Sequence, residues 1–518
     1  MSNHFHVTIF AFVVAGCFVC AGCTTKFNTA TDAHNTGAFA TAASNAESLA
    51  QTVSEGGKVI DLKVQYDRDE LWVGLEKAKI LADAGLNSKS VDLFEWVNAR
   101  AQFLGDAESW YVKNPCDVSR WDVGQFSQDV GKFVMGADQT TYIVQPYELI
   151  LVNAYASLNS LLCNEPGAVQ FTRTMMKLQE YEKEDLRRAG YDDMEAPIAK
   201  MDSTLAPSLK GNSTDFSFGR IFSLGDFTGA KQRFKSAIDS ARQVGAADPR
   251  IPFATVVQWV SFMSEGAIDE AAAAAKEVGA SCGATTLSEQ MGMMSTEGNK
   301  DFVLVLIDAG RGPIKNSFEV KFPIMIPNVG SALFRAVYPD LIFRTGDRPN
   351  EIKVGGAGAM QNAFVLDSID AIAARNFQRR EAELWWTPTI RAVLRTVASI
   401  VAQATQEKED TGARLLIALV GAAVAVAEQP DLRAWSTLPA EQYAAIVPRP
   451  ANGVLKVELK SVSSSGSIDV PVEPGSSIVY VRALTPTIHY AKSAVIVKPK
   501  QKSDRRLSID PRNIRSYR

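Results

Sequence analysis

The hydrophobic periodicity of the chain changes near residue 301, and this change constrains the fold more than any other feature. Between about Arg68 and Val278 the apolar residues recur every three or four positions, which predicts α-helices. From Asp301 onward, short continuous or alternating apolar runs predict strands, with further helices between them. We therefore expect an α+β multidomain protein, with a helical-repeat region followed by a mixed α+β domain that contains a small, mainly antiparallel sheet.

Three stretches of the helical half share one spacing. In the clearest, a glycine is followed at +2, +5, +9 and +12 by aromatic, small, aromatic and small residues: Gly225, Phe227, Ala230, Phe234 and Ala237. The spacing recurs after Gly266 and, more loosely, after Gly85. It resembles the core of a tetratricopeptide repeat (TPR), although the intervals are irregular. The helix pairs either form a globular α-domain or leave a concave face for a peptide or protein, with Phe227 and Phe234 as candidate partner-binding residues.

The carboxyl half contains several strand patterns. Phe302 to Lys315 begins as a continuous apolar run, which is typical of a strand buried on both faces, and Ser317 to Ile326 alternates. Leu366 to about Gln406 has helical spacing, interrupted at Pro388. After Gly453, alternating segments predict three or four antiparallel strands.

The amino terminus has the layout of a bacterial lipoprotein signal peptide. A mostly apolar stretch, too short to cross a bilayer, ends in two Ala-Gly-Cys copies, at Cys17 and Cys23. Cys23 is the favoured lipidation site because it leaves a longer apolar region before it and polar residues after it. Cys17 is the alternative. The segment 23–60 is rich in Thr, Ala, Ser and Asn, which predicts a tether, although Ala42 to Val53 could form a weak helix.

Composition excludes several functional classes. A net charge of −4 argues against a nucleic-acid-binding protein. With four histidines, two of them before the Ala-Gly-Cys copies, serine-histidine, cysteine-histidine and histidine-rich zinc chemistry lose most of their support. We assign no catalytic residue, no metal site and no cofactor. Downstream of Cys23, an oxidising compartment would permit one disulfide, with Cys116 and Cys163 as the pair to test, and burial as free thiols is the alternative.

Several strings together resemble a family of exported bacterial lipoproteins of uncharacterised function with a TPR-like amino-terminal region. The strings are YELILVNAYASLNSLL (147–162), AGRGPIKNSFEVKFPI (309–324), LDSIDAIAARNFQRREAELWWTPTIRAVLRTV (366–397) and DLRAWSTLP (431–439). The last has the pattern Asp-x-Arg-x-Trp-x-x-Leu-Pro and is the most specific. The resemblance implies a location in the cell envelope and carries no known reaction.

Aromatic and charged residues in these strings are candidate partner contacts. Arg433 and Trp435 could bind a ligand or fix the end of a helix, since arginine pairs with Asp431 and stacks on indole. Trp385 and Trp386 could bind a sugar or a partner, or plug a helix end.

These observations favour a non-enzymatic, lipid-anchored scaffold on the periplasmic face of the outer membrane that recruits protein partners, such as envelope-assembly or peptidoglycan-synthesis machinery. One alternative is a cell-wall glycan hydrolase that uses carboxylates, with candidates Asp367, Asp370, Glu381 and Glu383. Another is a structural or pilot lipoprotein of a secretion or surface-organelle complex.

The expected organisation follows from these patterns. It comprises a signal peptide (1–22), a tether (23–60), a TPR-like helical region (61–298), a mixed α+β domain (299–498) and a basic tail (499–518). The tail is expected to be disordered, although it could also bind an anionic surface.

Overall fold

The fold was analysed in a computed structural model of the chain. It describes residues 28–51, 70–104, 142–188, 228–229, 231–236, 250–296, 301–326, 330–344, 346, 348–356, 359–380, 384–385, 388–389, 392, 396, 430–462, 464–484 and 487–496.

The amino-terminal half is helical. Its helices are α1 (28–35), α2 (Phe39–Gln51), α3 (Glu70–Asp83), α4 (Asn87–Leu104), α5 (Pro146–Cys163), α6 (Ala168–Arg188), α7 (Pro252–Glu265), α8 (Ile268–Cys282) and α9 (Thr285–Thr296). The glycines of two predicted repeats separate helix pairs. Gly85 lies between α3 and α4, Gly266 lies between α7 and α8, and both have the positive φ that ends a helix and favours glycine. Two of the three repeat patterns are therefore helical hairpins.

Residues 28–51 of the segment predicted as a tether form two helices, and α2 overlaps the weak helix considered for Ala42 to Val53. Helices α1 and α2 form a small cluster with α3, in which alanines of the amino-terminal segment pack on Ile80 and Leu81. His34 of α1 is fully buried. Helix α1 was not predicted, because its apolar residues are alanines, which bury little surface and leave a weak periodic signal.

The carboxyl half contains three sheets. Its strands are β1 (Phe302–Ala309), β2 (Ile314–Ile326), β3 (Gly330–Ile342), β4 (Glu351–Gly356), β5 (Ala359–Asn362), β6 (Phe364–Ser368), β7 (Glu441–Pro448), β8 (Val454–Lys460), β9 (Ser465–Pro471), β10 (Ser477–Ala483) and β11 (Ile488–Val495). A five-stranded sheet has the order β11-β10-β1-β7-β6, a four-stranded sheet has the order β5-β4-β8-β9, and β2 pairs with β3. Every pairing is antiparallel except that of β1 with β10.

Strand β1 is covered on both faces, which explains its continuous apolar sequence. Val303, Val305 and Ile307 pack with strands of the four-stranded sheet, whereas Leu304 and Leu306 pack with the helices. The molecule therefore has three layers: helices, the five-stranded sheet and the four-stranded sheet. Strand β8 belongs to the outer layer, and its burial alternates accordingly along the strand.

The third sheet is a long hairpin. Strands β2 and β3 each have 13 residues and run in register, so aromatic side chains meet across them. Phe318 stacks on Tyr338, with ring centroids 5.5 Å apart, and Phe322 stacks on Phe334 at 4.5 Å. These cross-strand pairs stabilise a ribbon that has two strands among the described residues.

In the carboxyl half, one predicted helix begins later than expected and one strand was not predicted. The helix predicted from Leu366 instead begins at Ile369 as α10 (Ile369–Arg379), because 364–368 pair with β7 as an edge strand. Strand β7 itself was not predicted, although it pairs with β1 in the centre of the sheet. Only two of its eight residues, Ile446 and Val447, are β-branched, so the strand signal in the sequence is weak.

One hydrophobic core joins the two halves of the chain. A single cluster of buried side chains contains residues of α3 to α9 together with residues of β1, β7 and β10. The chain is therefore a mixed α+β protein with small, mainly antiparallel sheets. The predicted boundary near residue 298 marks the change from helix to strand, and the core extends across it. No helix among the described residues is both long and apolar enough to span a membrane.

The shared core predicts that both halves unfold together. Leu306→Ala removes a fully buried side chain between sheet and helices and should destabilise the protein by about 2–5 kcal/mol. Helical circular dichroism and tryptophan fluorescence should report one shared, lowered transition. Val462→Ala, at a position 92% exposed, is the control. Loss of fluorescence-detected structure at a denaturant concentration that leaves the helices intact would contradict the shared core.

Candidate functional site

A row of three polar residues crosses the central strands on the face covered by helices. Asp308 of β1 lies opposite Arg482 of β10 and opposite Gln442 of β7 in the strand register. Their neighbours on the same face are apolar, for example Leu306 and Tyr480. All three polar side chains are fully buried. A charge in this position requires partners from the helical layer, because water does not solvate it.

Helix α3 supplies these partners. Lys79 Nζ lies 2.5 Å from Asp83 Oδ1 and 3.2 Å from Asp308 Oδ2, and Arg482 Nε lies 3.2 Å from Asp83 Oδ2. Arg482 also donates through Nη1 to the carbonyls of Asp308 and Gly310. Two cations and two carboxylates are thus paired at the interface between helices and sheet.

Tyrosines and a histidine complete this charged cluster. The hydroxyls of Tyr155 and Tyr480 donate to Asp308 Oδ2 at 2.7 and 2.8 Å, and His34 Nε2 lies 2.8 Å from Asp83 Oδ2. Burial and the neighbouring carboxylates raise the pKa of both tyrosines well above the usual value. Burial lowers the pKa of His34 to about 4, although Asp83 opposes the shift. His34 is therefore neutral at pH 7.

The cluster is electrically balanced and closed to solvent, so it joins layers and offers no access to a substrate. Burial favours the protonated form of Asp83, but Lys79, His34 and Arg482 outweigh it and hold the pKa of this carboxyl below its usual value. Residues that hold the cluster were missed in the sequence. The available signal was one charged residue within each apolar strand, Asp308 in β1 and Arg482 in β10, since an isolated charge in a buried strand requires a partner.

The same helix positions the loop that contains the Asp-x-Arg-x-Trp-x-x-Leu-Pro pattern. Trp72 Nε1 donates to the carbonyl of Ala434 at 2.9 Å. The buried carboxylate of Glu76 accepts from the backbone N–H of Ser436 and of Thr437, at 2.6 and 3.0 Å. Residues 434–437 are thereby fixed to α3, one or two turns before the charged cluster.

A small pocket lies beside this loop, and we take it as the candidate binding site. Its volume is about 30 Å³, which corresponds to roughly two water molecules. Segments distant in sequence form it: the amino-terminal end of α5, the start of β2, the end of α10 and the loop that follows Asp431. The charged lining residues are Glu148, Lys315 and Arg380.

Hydrogen bonds fix the polar wall of the pocket. Glu148 Oε2 accepts from the backbone N–H of Gln145 at 2.7 Å and completes the cap of α5, and both Glu148 oxygens accept from Tyr142. Gln145 Oε1 accepts from Asn376 at 3.1 Å and from Arg380 at 3.0 Å. Lys315 Nζ donates to the carbonyl of Arg433 at 2.8 Å. Burial raises the pKa of Glu148 and lowers that of Lys315.

The described aromatic and arginine candidates are buried. Phe234 is 1% exposed and packs on Tyr338 and Trp385, each with ring centroids 5.6 Å away. Trp385 is 4% exposed. These two side chains therefore pack behind the β2–β3 hairpin and present no free surface to a partner. Phe227 and Trp386 lie outside the described residues.

The motif residues serve packing and pocket formation. Arg433 pairs with Asp431, its Nε 2.8 Å from Oδ1, and lies over the ring of Tyr142. Trp435 is 2% exposed and packs on Phe94 and Tyr155. The charge pair expected for this pattern is present, and the indole faces aromatic rings of α4 and α5. The structure places Arg433 and Trp435 close together near the pocket. Of the two, Trp435 lines the pocket and Arg433 does not.

The described hydrolase carboxylates have structural contacts. Asp367 accepts from the backbone N–H of Phe253 at 2.6 Å and caps the start of α7. Asp370 pairs with Arg348, which also contacts Glu441. Burial raises the pKa of Asp367 to about 8 and that of Asp370 to about 6. Both side chains are buried, and Glu381 and Glu383 lie outside the described residues.

The cysteine predictions remain predictions. Cys163 is half-buried at the end of α5, and its thiol donates to the carbonyl of Asn159 at 2.9 Å. Cys116, Cys17 and Cys23 lie outside the described residues. Within those residues, no group of three histidine, cysteine or acidic side chains could hold a metal ion.

Comparisons with known proteins supply no further guide to the site. No family model, no curated protein and no solved structure matches the chain.

The burial of neutral His34 predicts a specific acid sensitivity. Because its pKa is about 4 in the folded protein and about 6.5 when unfolded, its contribution to stability is lost as the pH falls through this window. His34→Gln should remove this component, so the difference in unfolding free energy between variant and wild type should shift in favour of the variant by up to about 1.4 kcal/mol per pH unit. Urea denaturation between pH 7 and 4 measures it, and a difference independent of pH would contradict the assignment.

Asp367 predicts the opposite dependence. Its folded pKa is about 8, above that of an unfolded aspartate, so its contribution to stability is present below about pH 4 and is lost as the pH rises toward 8. Asp367→Asn keeps an oxygen to accept from Phe253 and should stabilise the protein increasingly between these values. Asp469→Asn, at an exposed position of β9, is the control in the same denaturation series. A catalytic role would instead require Asp367→Asn to abolish an activity on cell-wall glycan.

Proposed function

We propose that the chain is a lipid-anchored binding protein of the bacterial cell envelope, attached through Cys23 and facing the periplasm, and that its folded body recruits protein partners at the outer membrane. The support for the anchor comes from the sequence, in which an apolar segment ends in Ala-Gly-Cys and is followed by polar residues. The resemblance to exported lipoproteins has the same implication.

The apolar segment that ends in Ala-Gly-Cys carries the proposal, and the position of α1 then defines how the body would lie relative to the membrane. Four residues, 24–27, separate Cys23 from the first described helical residue, so the two Cα atoms lie within about 17 Å of each other. Helix α1 in turn is joined to α3 through His34 and Asp83. A lipid on Cys23 would therefore hold the body close to the bilayer surface, and the longer tether expected from composition would not apply.

The helical half supplies the surface that we propose for partners. Its paired helices, α3 with α4 and α7 with α8, have the glycine spacing of TPR units, and we propose that they act as a TPR-like scaffold. Because these pairs also pack against the five-stranded sheet, any protein partner would bind their outer faces. Envelope-assembly or peptidoglycan-synthesis proteins are the partners we propose to test first.

Cys23→Ala tests the anchor. The variant should lose palmitate incorporation and move from the membrane to the soluble fraction, because no acyl chain remains to hold it. Cys17→Ala is the matched control and should leave both unchanged. If Cys17→Ala abolishes lipidation and membrane association while Cys23→Ala does not, the anchor is at Cys17 and the short connection to α1 no longer holds.

Partner recruitment is tested separately. Crosslinking in intact envelopes, followed by purification of the tagged protein, should return the same envelope proteins in repeated experiments. The repeated absence of any protein partner would contradict the scaffold role and leave the anchor unaffected.

A further inference from the structure

A residue that lines the pocket beside the Asp-x-Arg-x-Trp-x-x-Leu-Pro loop has a buried hydrogen-bond donor without an acceptor among the described residues. Trp435 lines this pocket, is 2% exposed, and its indole Nε1 has no hydrogen-bond partner in the described part of the chain. A buried N–H without an acceptor costs roughly 1–3 kcal/mol, so such groups in native proteins commonly meet a water molecule or a ligand.

The acceptors of the pocket wall are already used. Gln145 Oε1 accepts from both Asn376 and Arg380. The oxygens of Glu148 accept from Tyr142 and from the backbone of Gln145. A ligand that binds here must therefore supply hydrogen-bond acceptors. A ligand group that can only donate hydrogen bonds is excluded.

The charged residues of the lining also favour a ligand that supplies acceptors. Lys315 and Arg380 line the pocket with one carboxylate, Glu148. Burial favours the neutral form of Glu148 and also of Lys315, and Asp431, which pairs with Arg433, helps to keep Lys315 charged. Glu76 is bound to the loop backbone at Ser436 and Thr437. The amino-terminal end of α5, an 18-residue helix, lies at the same wall and adds a partial positive charge.

The size of the pocket limits the ligand further. About 30 Å³ accommodates a planar group of three heavy atoms and is too small for a sugar ring or a nucleotide. Lys315, Leu341, Arg380 and Leu384 are only partly buried, so the rest of a ligand can extend past them into solvent.

We propose that this pocket binds a carboxylate group, either that of a small free acid or the carboxyl terminus of a peptide. Lys315 and Arg380 supply the positive charge, and Trp435 Nε1 donates a hydrogen bond to one carboxylate oxygen. This proposal deepens the binding role proposed above and rests on it for its biological meaning. Its chemistry is independent of the anchor, so the two can fail separately.

The test is a titration of the full chain in detergent with ¹⁵N-labelled tryptophan, in which loss of one indole signal in Trp435→Phe assigns Trp435. Sodium acetate at constant ionic strength should shift this signal, and sodium chloride should not. A short peptide with a free carboxyl terminus should compete with acetate if the source is a peptide, whereas its carboxamide form should not. Binding of acetate with no competition from the peptide would identify small acids as the ligands.

Lys315→Met tests the charge requirement. It should weaken acetate binding by about tenfold to a hundredfold, because a charge-assisted contact is lost. Lys321→Met, on the same strand and exposed, is the matched control and should bind as the wild type does. Far-ultraviolet circular dichroism identifies variants that do not fold, and for those Lys315→Arg, which keeps the charge, should retain binding.

Two results would overturn the proposal. The first is an indole signal that does not respond to 100 mM acetate in folded wild-type protein, which would mean that the pocket holds water alone. The second is an equal response to acetate and chloride, which would mean that the pocket does not recognise the carboxylate.

Discussion

The pairing of Lys79 and Asp83 on α3 with Asp308 and Arg482 on the central strands is the interaction on which the rest of the structure depends. All four side chains are fully buried, and their contacts join the helical layer to the sheet. Desolvation offsets much of the attraction in such a cluster, so its main effect is on specificity. An apolar interface would tolerate a shift of α3 by one turn, whereas these charges fit one position only, because a shift leaves buried charges unpaired.

This position of α3 determines the position of the pocket. Trp72 and Glu76 precede Lys79 on the same side of the helix, and they bind the backbone of residues 434–437. Trp435 lies within that segment and forms one wall of the pocket. The charged cluster thus fixes the geometry of the pocket through α3, although none of its four side chains lines the pocket.

The elements that sequence reasoning predicted correctly are those whose pattern follows from burial on known faces. Strand β1 is continuously apolar because both its faces are covered, and β8 alternates because one face meets solvent. Glycines with positive φ marked two helical hairpins. By contrast, α1 and β7 were not predicted, because their sequences combine alanines with polar residues and give a weak hydrophobicity pattern. The pocket was also beyond prediction, since residues 145, 315, 380 and 435 meet only after the three layers have packed.

The burial of His34 fixes the amino-terminal segment to the folded body. A flexible tether would let the body move independently of an anchor at Cys23. Here the helix after position 27 contacts Asp83, which also binds Lys79 and Arg482, and Phe39 packs between His34 and His489. A force on the anchor would therefore pass through α1 into the same cluster that positions α3. Because the contacts of α1 and α2 with α3 are made mainly by alanines, which bury little area, this segment is where the body would separate first. If Cys23 is lipidated as proposed, His34 would couple attachment at the membrane to the arrangement of the helical layer.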